Sequence, residues 1–351
     1  MSTKKLQDGF KILNRGGKES LNFIQFKDEV VKLINIKNNS FNVAIIEVGN
    51  SSSSDSIYNI KNSVNELQKG LKFFKEGTTE IELKENTIIL TSGRKQVIVN
   101  IEKSNLKLDI ENEYSNTFKF DFKDFKNRVD AIIPLRGKDS TRPMLGGIHF
   151  NKNHIVALDG FKLGVSIDNE TKNTIDPMTL TKSGTDYLVD IMKIVKSENI
   201  IMKTNDNKVE FEFDNVKLIS NLFEGSYFNY QDILRKSYDD TTTINNVDIK
   251  KLLDDIKFLE SMSDTGRILN NQIKGYNKNN NDNVRNQVEL PYTVEGEDID
   301  ISFNIKYMRE LLNALRKLND TTDLGFMGSL NPIFFRNENS IYLLLPMRVS
   351  Y

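Results

Sequence analysis

The chain contains no cysteine. Disulfides and thiolate metal sites are therefore excluded, which fits a reducing compartment. It holds two histidines. His149 and His154 each alternate with apolar neighbours, so they are expected to fill a sheet rather than to carry catalysis. No apolar run approaches the roughly 18 residues of a membrane-spanning helix. The opening MSTKKLQDGF lacks the apolar stretch of a secretion signal, so a cytoplasmic protein without a membrane partner is expected. Net charge is −1, and no chain-wide positive field marks a nucleic-acid binder. Any such role has to come from uneven charge. No carboxylate pair stands out. NRGGKES at 14–20 has two glycines, but a phosphate-binding loop needs a further glycine where Ile12 stands. NKNNNDNVRNQ lacks the terminal acid of a calcium loop. No catalytic residue, metal site or cofactor is expected, and the chain reads as a non-enzyme.

What is present is repetition. At 351 residues, with 38% hydrophobic and 28% charged positions, the chain has room for two or three domains with cores of their own. From about residue 57 a strand, a helix and three short strands follow in order: NSVNELQKGLKFF has helical spacing, and TEIELKENTIILTSGRKQVIVNI breaks into three β runs. The order returns near 117 and 178 and again near 299, about 60 residues apart with one doubled interval. The doubled interval holds a degraded fifth copy: a helix over 248–261, one strand around 267–274, and an Asn-rich loop at 276–284. Residues 1–56 offer an incomplete sixth, with FKDEVVKLINI as its helix and FNVAIIEV as a strand, followed by Ser51–Ser54 and with no room for two more strands. One helix per repeat beside period-2 strands predicts paired modules that share a core, in an α+β fold with sheets on one side and helices on the other.

Charge is not spread evenly over the repeats. Helix 61–75 carries Lys61, Lys69, Lys72 and Lys75 against Glu66, a net of +3. Helix 305–318 sets Lys306, Arg309, Arg316 and Lys317 against Glu310, again +3. If such helices share a surface, they would attract phosphate backbones without reading sequence. Two apolar stretches are also out of place. ALDGFKLGVS at 157–166 sets Phe161 and Leu163 beside an Asp-Gly turn, and YLLLPMRVSY ends the chain.

STRPMLGGIHF followed by HIVALDGFKLGVS resembles the middle domain of the bacterial DNA polymerase III beta subunit, the beta sliding clamp. LISNLFEGSYFNYQDIL, IDISFNIKYMRELLNAL, PMRV and TSGRKQVIV resemble further signatures of that family in order. The resemblance covers about residues 57–351. It implies the DNA clamp fold in three domains, 1–115 with a shortened, divergent first half, 116–234 and 235–351, with helices inside and sheets outside. It implies a homodimeric ring around double-stranded DNA, held without sequence preference, and two further partners, a DNA polymerase and a clamp loader. The DNA-facing residues would be Lys69, Lys72, Lys126, Lys138, Lys193, Lys196, Arg309, Arg316 and Lys317. The dimer contact would use Arg94, Val97 and Val99 against Phe258 and Leu259.

The same resemblance gives the two apolar stretches a shared purpose, a pocket for partner peptides of the Gln-Leu-x-Leu-Phe kind. The preceding strand would supply Leu145, and the turn Leu158, Gly160, Phe161, Lys162 and Leu163. The segment after Gly225 would supply Phe228, Asp232 and Ile233. The last module would supply Pro332, Leu343, Leu345, Pro346, Met347 and Arg348. Apolar anchors carry most peptide affinity, and Met adapts to several partners. The chain departs from the family at several points. Phe161-Lys162 stands where His-Arg is usual, Asp232 at a usually basic position, and Ser350-Tyr351 run past the usual end. The alternative is a clamp-fold interaction module, from a paralogue or a mobile element, that no longer closes a ring.

Overall fold

A computed structural model of the chain describes all residues except 18–19, 38–41, 52–54, 76, 107–111, 139–140, 170–173, 270, 278–282 and 349–351. Six modules follow one another. The first is helix α1 (Thr3–Arg15) with strands β1 (Leu21–Lys27), β2 (Val30–Lys37) and β3 (Asn42–Asn50). The second is β4 (Ser56–Asn59), α2 (Val64–Leu71), β5 (Glu80–Lys84), β6 (Thr87–Ser92) and β7 (Lys95–Asn100), trailed by β8 (Glu102–Lys103). The third is β9 (Asn116–Asp121), α3 (Phe122–Ile132), β10 (His149–Lys152), β11 (His154–Leu158) and β12 (Lys162–Ile167). The fourth is β13 (Ile175–Thr179), α4 (Lys182–Met192), β14 (Asn199–Thr204), β15 (Lys208–Phe213) and β16 (Val216–Asn221). A short helix α5 (Gln231–Lys236) precedes the fifth, β17 (Thr242–Asp248), α6 (Ile249–Glu260), β18 (Thr265–Leu269), β19 (Gln272–Tyr276) and β20 (Asn286–Glu289). After β21 (Val294–Gly296) comes the sixth, β22 (Asp300–Asn304), α7 (Ile305–Leu315), β23 (Thr321–Phe326), β24 (Ile333–Asn337) and β25 (Ser340–Leu344).

Two sequence expectations are corrected. FKDEVVKLINI is not a helix. Asp28 and Glu29 both take left-handed φ, 51° and 61°, which is the two-residue turn that matches strand twist. Lys27 then faces Val30, and β1 pairs with β2. The helix of this module is α1, where Leu6, Phe10 and Leu13 form a buried stripe and the Ser2 side chain accepts from the Lys5 N–H. The fifth module has two strands where one was expected, because Leu269 pairs with Gln272 and Ile268 with Ile273 in a hairpin. Most of the Asn-rich loop at 276–284, and the tail residues Ser350 and Tyr351, lie outside the described residues.

The chain divides into two compact units, residues 1–125 with 183–223, and residues 126–182 with 224–351. The first holds a nine-stranded sheet, order β8-β4-β1-β2-β3-β16-β15-β14-β9, and a smaller one, β5-β6-β7. Helix α1 lies close on β2, since a Cβ at Gly9 would come 2.8 Å from Leu33 Cδ1. Buried Asn35 satisfies three groups there: it donates to Leu13 O and Asn22 Oδ1 and accepts from the Tyr187 hydroxyl. The second unit holds a nine-stranded sheet, order β13-β10-β11-β12-β25-β24-β23-β17-β21, and a four-stranded one, β20-β19-β18-β22. Helices α6 and α7 pack against each other in it. One of its cores gathers Leu145, Val156, Leu158, Leu163, Val165, Tyr230, Phe334 and Leu343. A buried pair, Arg128 Nη1 to Asp168 Oδ2 at 2.7 Å, ties α3 to the end of β12.

Candidate functional site

The turn in ALDGFKLGVS is built by its aspartate. Asp159 Oδ1 accepts from the backbone N–H of Phe161 at 2.9 Å and of Lys162 at 2.8 Å. Gly160 takes φ +94°, a conformation costly for other residues. The hairpin β11–β12 closes on the pair Leu158 and Leu163. With the turn held from within, its side chains need not face water for polar support. The chain end then joins it: β25 pairs with β12, and the Leu345 N–H donates to Phe161 O at 2.9 Å.

A cavity of about 460 Å³ opens here, lined by Arg142, Met144, Leu145, Leu158, Gly160, Phe161, Lys162, Leu163, Ser226, Tyr227, Phe228, Ile233, Leu343 and Leu345. Ten of the fifteen pocket residues expected from sequence meet at it. Asp232, Pro332, Pro346, Met347 and Arg348 do not line it. Asp232 is exposed on α5 and pairs with Arg235 and Asn229. The Met347 N–H donates to Ser302 O at 2.7 Å, fastening the tail to β22. Arg142, Met144, Ser226 and Tyr227 line it without having been singled out. Arg142-Pro143 was visible as a motif, and Pro143 starts the short 3-10 turn that carries Met144 and Leu145 inward. That turn is fastened by the Gly137 N–H to Leu145 O, 2.7 Å.

Lys162 offers the cavity little charge. Its side chain is 2% exposed, and its ammonium pairs with Asp159 Oδ2 at 3.1 Å and with Glu310 on α7. It also sits 4.6 Å above the Tyr307 ring, on which Phe161 stacks. The floor behind Tyr227 is aromatic. His149 stacks on Tyr227 with centroids 4.3 Å apart and hydrogen-bonds with Thr179. His154 Nδ1 lies 3.0 Å from the Tyr230 hydroxyl. Burial pushes His149 down to about 4 and lowers His154, while it raises Tyr227 and lifts Tyr230 to about 12. Both histidines thus fill the sheet as neutral groups at neutral pH. Among the described residues, no group of three His, Asp or Glu side chains could hold a metal.

The basic residues are placed as follows. Lys69, Lys72 and Lys196 are exposed in the first unit, as is Lys193, which pairs with Asp190. In the second, Lys138 and Arg316 are exposed, and Lys317 is exposed while donating to Asp130 O. Lys126 is half-buried against Asp130, and Arg309 pairs with Glu260. Of the five residues expected at the dimer contact, Arg94 and Phe258 are exposed and Val97 is half-buried. Val99 and Leu259 are buried inside their own units, so neither side chain is offered to a partner. Ile98, next to Val99 on β7, is exposed instead, as is Phe73 after α2.

No family model matches the sequence. Curated relatives are found nevertheless. The chain is 22% identical over 294 residues to the beta sliding clamp of Streptococcus pneumoniae, covering 77% of this chain and 74% of that one. It is 25% identical over 280 residues to the beta sliding clamp of Staphylococcus epidermidis, covering 74% and 72%. Among solved structures, the DNA polymerase III beta subunit from Thermotoga maritima superposes with a TM-score of 0.82 over 100% of this chain and 99% of that one, at 18% identity. The chain has the beta sliding clamp fold. Its resemblance to that family, divergent in sequence, extends from the first module to the last. The clamp fold also accounts for the order seen here, six modules of one helix each with antiparallel sheets on the helices' apolar sides. Among the described residues, no helix is long and apolar enough to cross a membrane.

Proposed function

We propose that the chain is a DNA sliding clamp, a non-catalytic processivity factor. It would encircle duplex DNA as a cytoplasmic homodimer and tether a DNA polymerase and a clamp loader through the cavity beside Gly160. The observation that supports this reading is the meeting of hairpin 157–166 with strand β25 and Leu345 in one apolar cavity, inside a clamp fold. Three domains, 1–115, 116–234 and 235–351, are the division we assign; the first half of the first domain, expected to be short of strands, holds α1 with β1, β2 and β3 and no strand before the helix. The exposed cations Lys69, Lys72, Lys138, Lys196, Arg316 and Lys317 would meet phosphates through many weak contacts. Such contacts hold a ring on DNA while leaving it free to slide. The dimer contact is assigned to Arg94, Val97 and Phe258, with Ile98 and Phe73 beside them.

Retention on DNA tests the proposal. Loaded by its own clamp loader, the chain should stay on nicked circular DNA and run off the linear form, and Lys72→Glu with Arg316→Glu should weaken retention. Light scattering should give a dimer at micromolar concentration. Equal retention on both DNA forms, or a monomer that still binds peptides, would replace the ring with an interaction module of clamp fold.

A further inference from the structure

We infer that the first unit carries a separate binding site on its long sheet, for an extended peptide segment with an apolar side chain and a carboxylate two residues apart. The site is a cavity of about 390 Å³ at the seam where β3 pairs with β16. It shares no residue with the cavity beside Gly160. Strand alternation fixes the face on which it opens. Leu33 and Ile46 meet helix α1, since a Cβ at Gly9 would come 2.8 Å from Leu33 Cδ1 and 3.4 Å from Ile46 Cγ2. Lys32, Ile45 and Glu47 therefore point away from that helix. The floor of the cavity is apolar: Ile45 and Ile219 are buried in a cluster with Phe23, Ile34 and Ile57.

The lysines that line the cavity fall into two groups. Lys203 and Lys217 are engaged within the sheet. Glu212 holds them at 2.7 and 2.5 Å, and Glu210 contacts Lys203 at 3.4 Å while accepting from the Tyr114 hydroxyl at 3.1 Å. Lys27 and Lys32 are not engaged in this way. Their ion-pair distances, 4.0 Å to Asp28 and 3.8 Å to Glu47, are too long for hydrogen bonds. Beside them the Gln25 carboxamide has no hydrogen-bond partner among the described residues. Of the charged residues on this rim, two are cations and one, Glu47, is an acid, so the rim favours an acidic over a basic side chain. Register then sets the spacing of the ligand. Gln25, Lys32 and Glu47 form one row across β1, β2 and β3, and Phe23, Ile34 and Ile45 form the next row on the same face. The free donors and the apolar floor are thus one two-residue step apart, about 6.6 Å along the strands. An extended peptide repeats that step. With an apolar side chain over Ile45, a carboxylate two residues away reaches Lys27 and Lys32 and gains charge-assisted hydrogen bonds.

Fluorescence anisotropy of labelled pentapeptides on the full chain tests the site. Thr-Leu-Thr-Asp-Thr should bind about three- to tenfold more tightly than the same peptide with Asn for Asp. Thr-Leu-Asp-Thr-Thr, which sends the acid to the opposite face, should lose that advantage. Lys27→Glu with Lys32→Glu should abolish the preference for Asp, and Lys27→Arg with Lys32→Arg should keep it. Added salt should shrink it. Phe161→Ala should leave these affinities unchanged, which separates this site from the cavity beside Gly160. Equal binding of the Asp and Asn peptides, or no binding of either, would overturn the inference. So would a preference that ignores the spacing, survives the double Glu variant, or disappears in Phe161→Ala.

Discussion

Truncating Phe161 to Ala isolates what the rim of the cavity contributes to peptide binding. The side chain is 53% exposed in the free chain, so about half of its apolar surface remains for a ligand to cover. Full burial of such a side chain stabilises by about 1.5–3 kcal/mol, and 53% of that is about 0.8–1.6 kcal/mol. At 1.4 kcal/mol per tenfold, Phe161→Ala should raise Kd about fourfold to fifteenfold. The fold should persist, because the turn depends on the Phe161 backbone N–H and Asp159 rather than on the ring. What the ring does lose is its stack on Tyr307, which changes stability by about 1 kcal/mol. The assay is anisotropy of a labelled Gln-Leu-x-Leu-Phe peptide, with thermal melts alongside. Leu330→Ala, also exposed but not lining the cavity, serves as the control. A change below twofold in a folded Phe161→Ala protein would refute the reasoning that the ligand covers this ring.

Other outcomes follow from the same geometry. Leu345→Ala should weaken the peptide about fivefold, since Leu345 lines the cavity and is partly exposed, whereas Met347→Ala, held toward Ser302, should change Kd less than twofold; the same anisotropy titration compares them. His149 is held at about 4 by burial, so above pH 6.5 it is neutral folded or unfolded. Between 6.5 and 4 only the unfolded chain takes the proton. Stability should therefore fall as pH drops through that window, by about 3 kcal/mol at its lower end, and urea midpoints of His149→Gln should show a correspondingly smaller pH dependence. Asp168→Asn leaves the buried Arg128 charge without its carboxylate and should cost about 3 kcal/mol in urea unfolding at neutral pH.

The parts of the site that sequence reveals are those fixed by short-range chemistry. Asp159-Gly160 announces its own turn, whereas Leu158, Leu163 and Leu343 were placed at the cavity through the family resemblance, since their strands are buried on both faces and carry no alternation. Lys162 was legible as a cavity residue but not as a silent one, because its partner Glu310 lies far along the chain and only the fold brings α7 to it. Met347 does not line the cavity, and the backbone bond that ties it to Ser302 is marked by no side-chain pattern. The first module was hidden by its composition. FKDEVVKLINI has apolar spacing that suits a helix or a hairpin, and two acidic residues at left-handed φ decide for the hairpin. Val99 faces its own core while the neighbouring Ile98 does not, a one-residue difference that period-2 reasoning resolves only once the sheet's inner side is known; on helix α6 Leu259 is buried and Phe258 exposed, a choice set by which helix face meets the core.

The long sheets have a consequence for anyone who would cut this chain into pieces. Strand β16 is paired along Val216–Ile219 with β3, and β12 along Lys162–Ser166 with β25. Segment 116–234 carries β16 and β12 but neither neighbour. Expressed alone, it would expose two rows of unpaired amides and carbonyls flanked by Val, Leu and Ile side chains, a template for intermolecular stacking. Insoluble aggregates of that fragment would then reflect where the cuts fall in the sheets, and would say nothing against the stability of the intact protein.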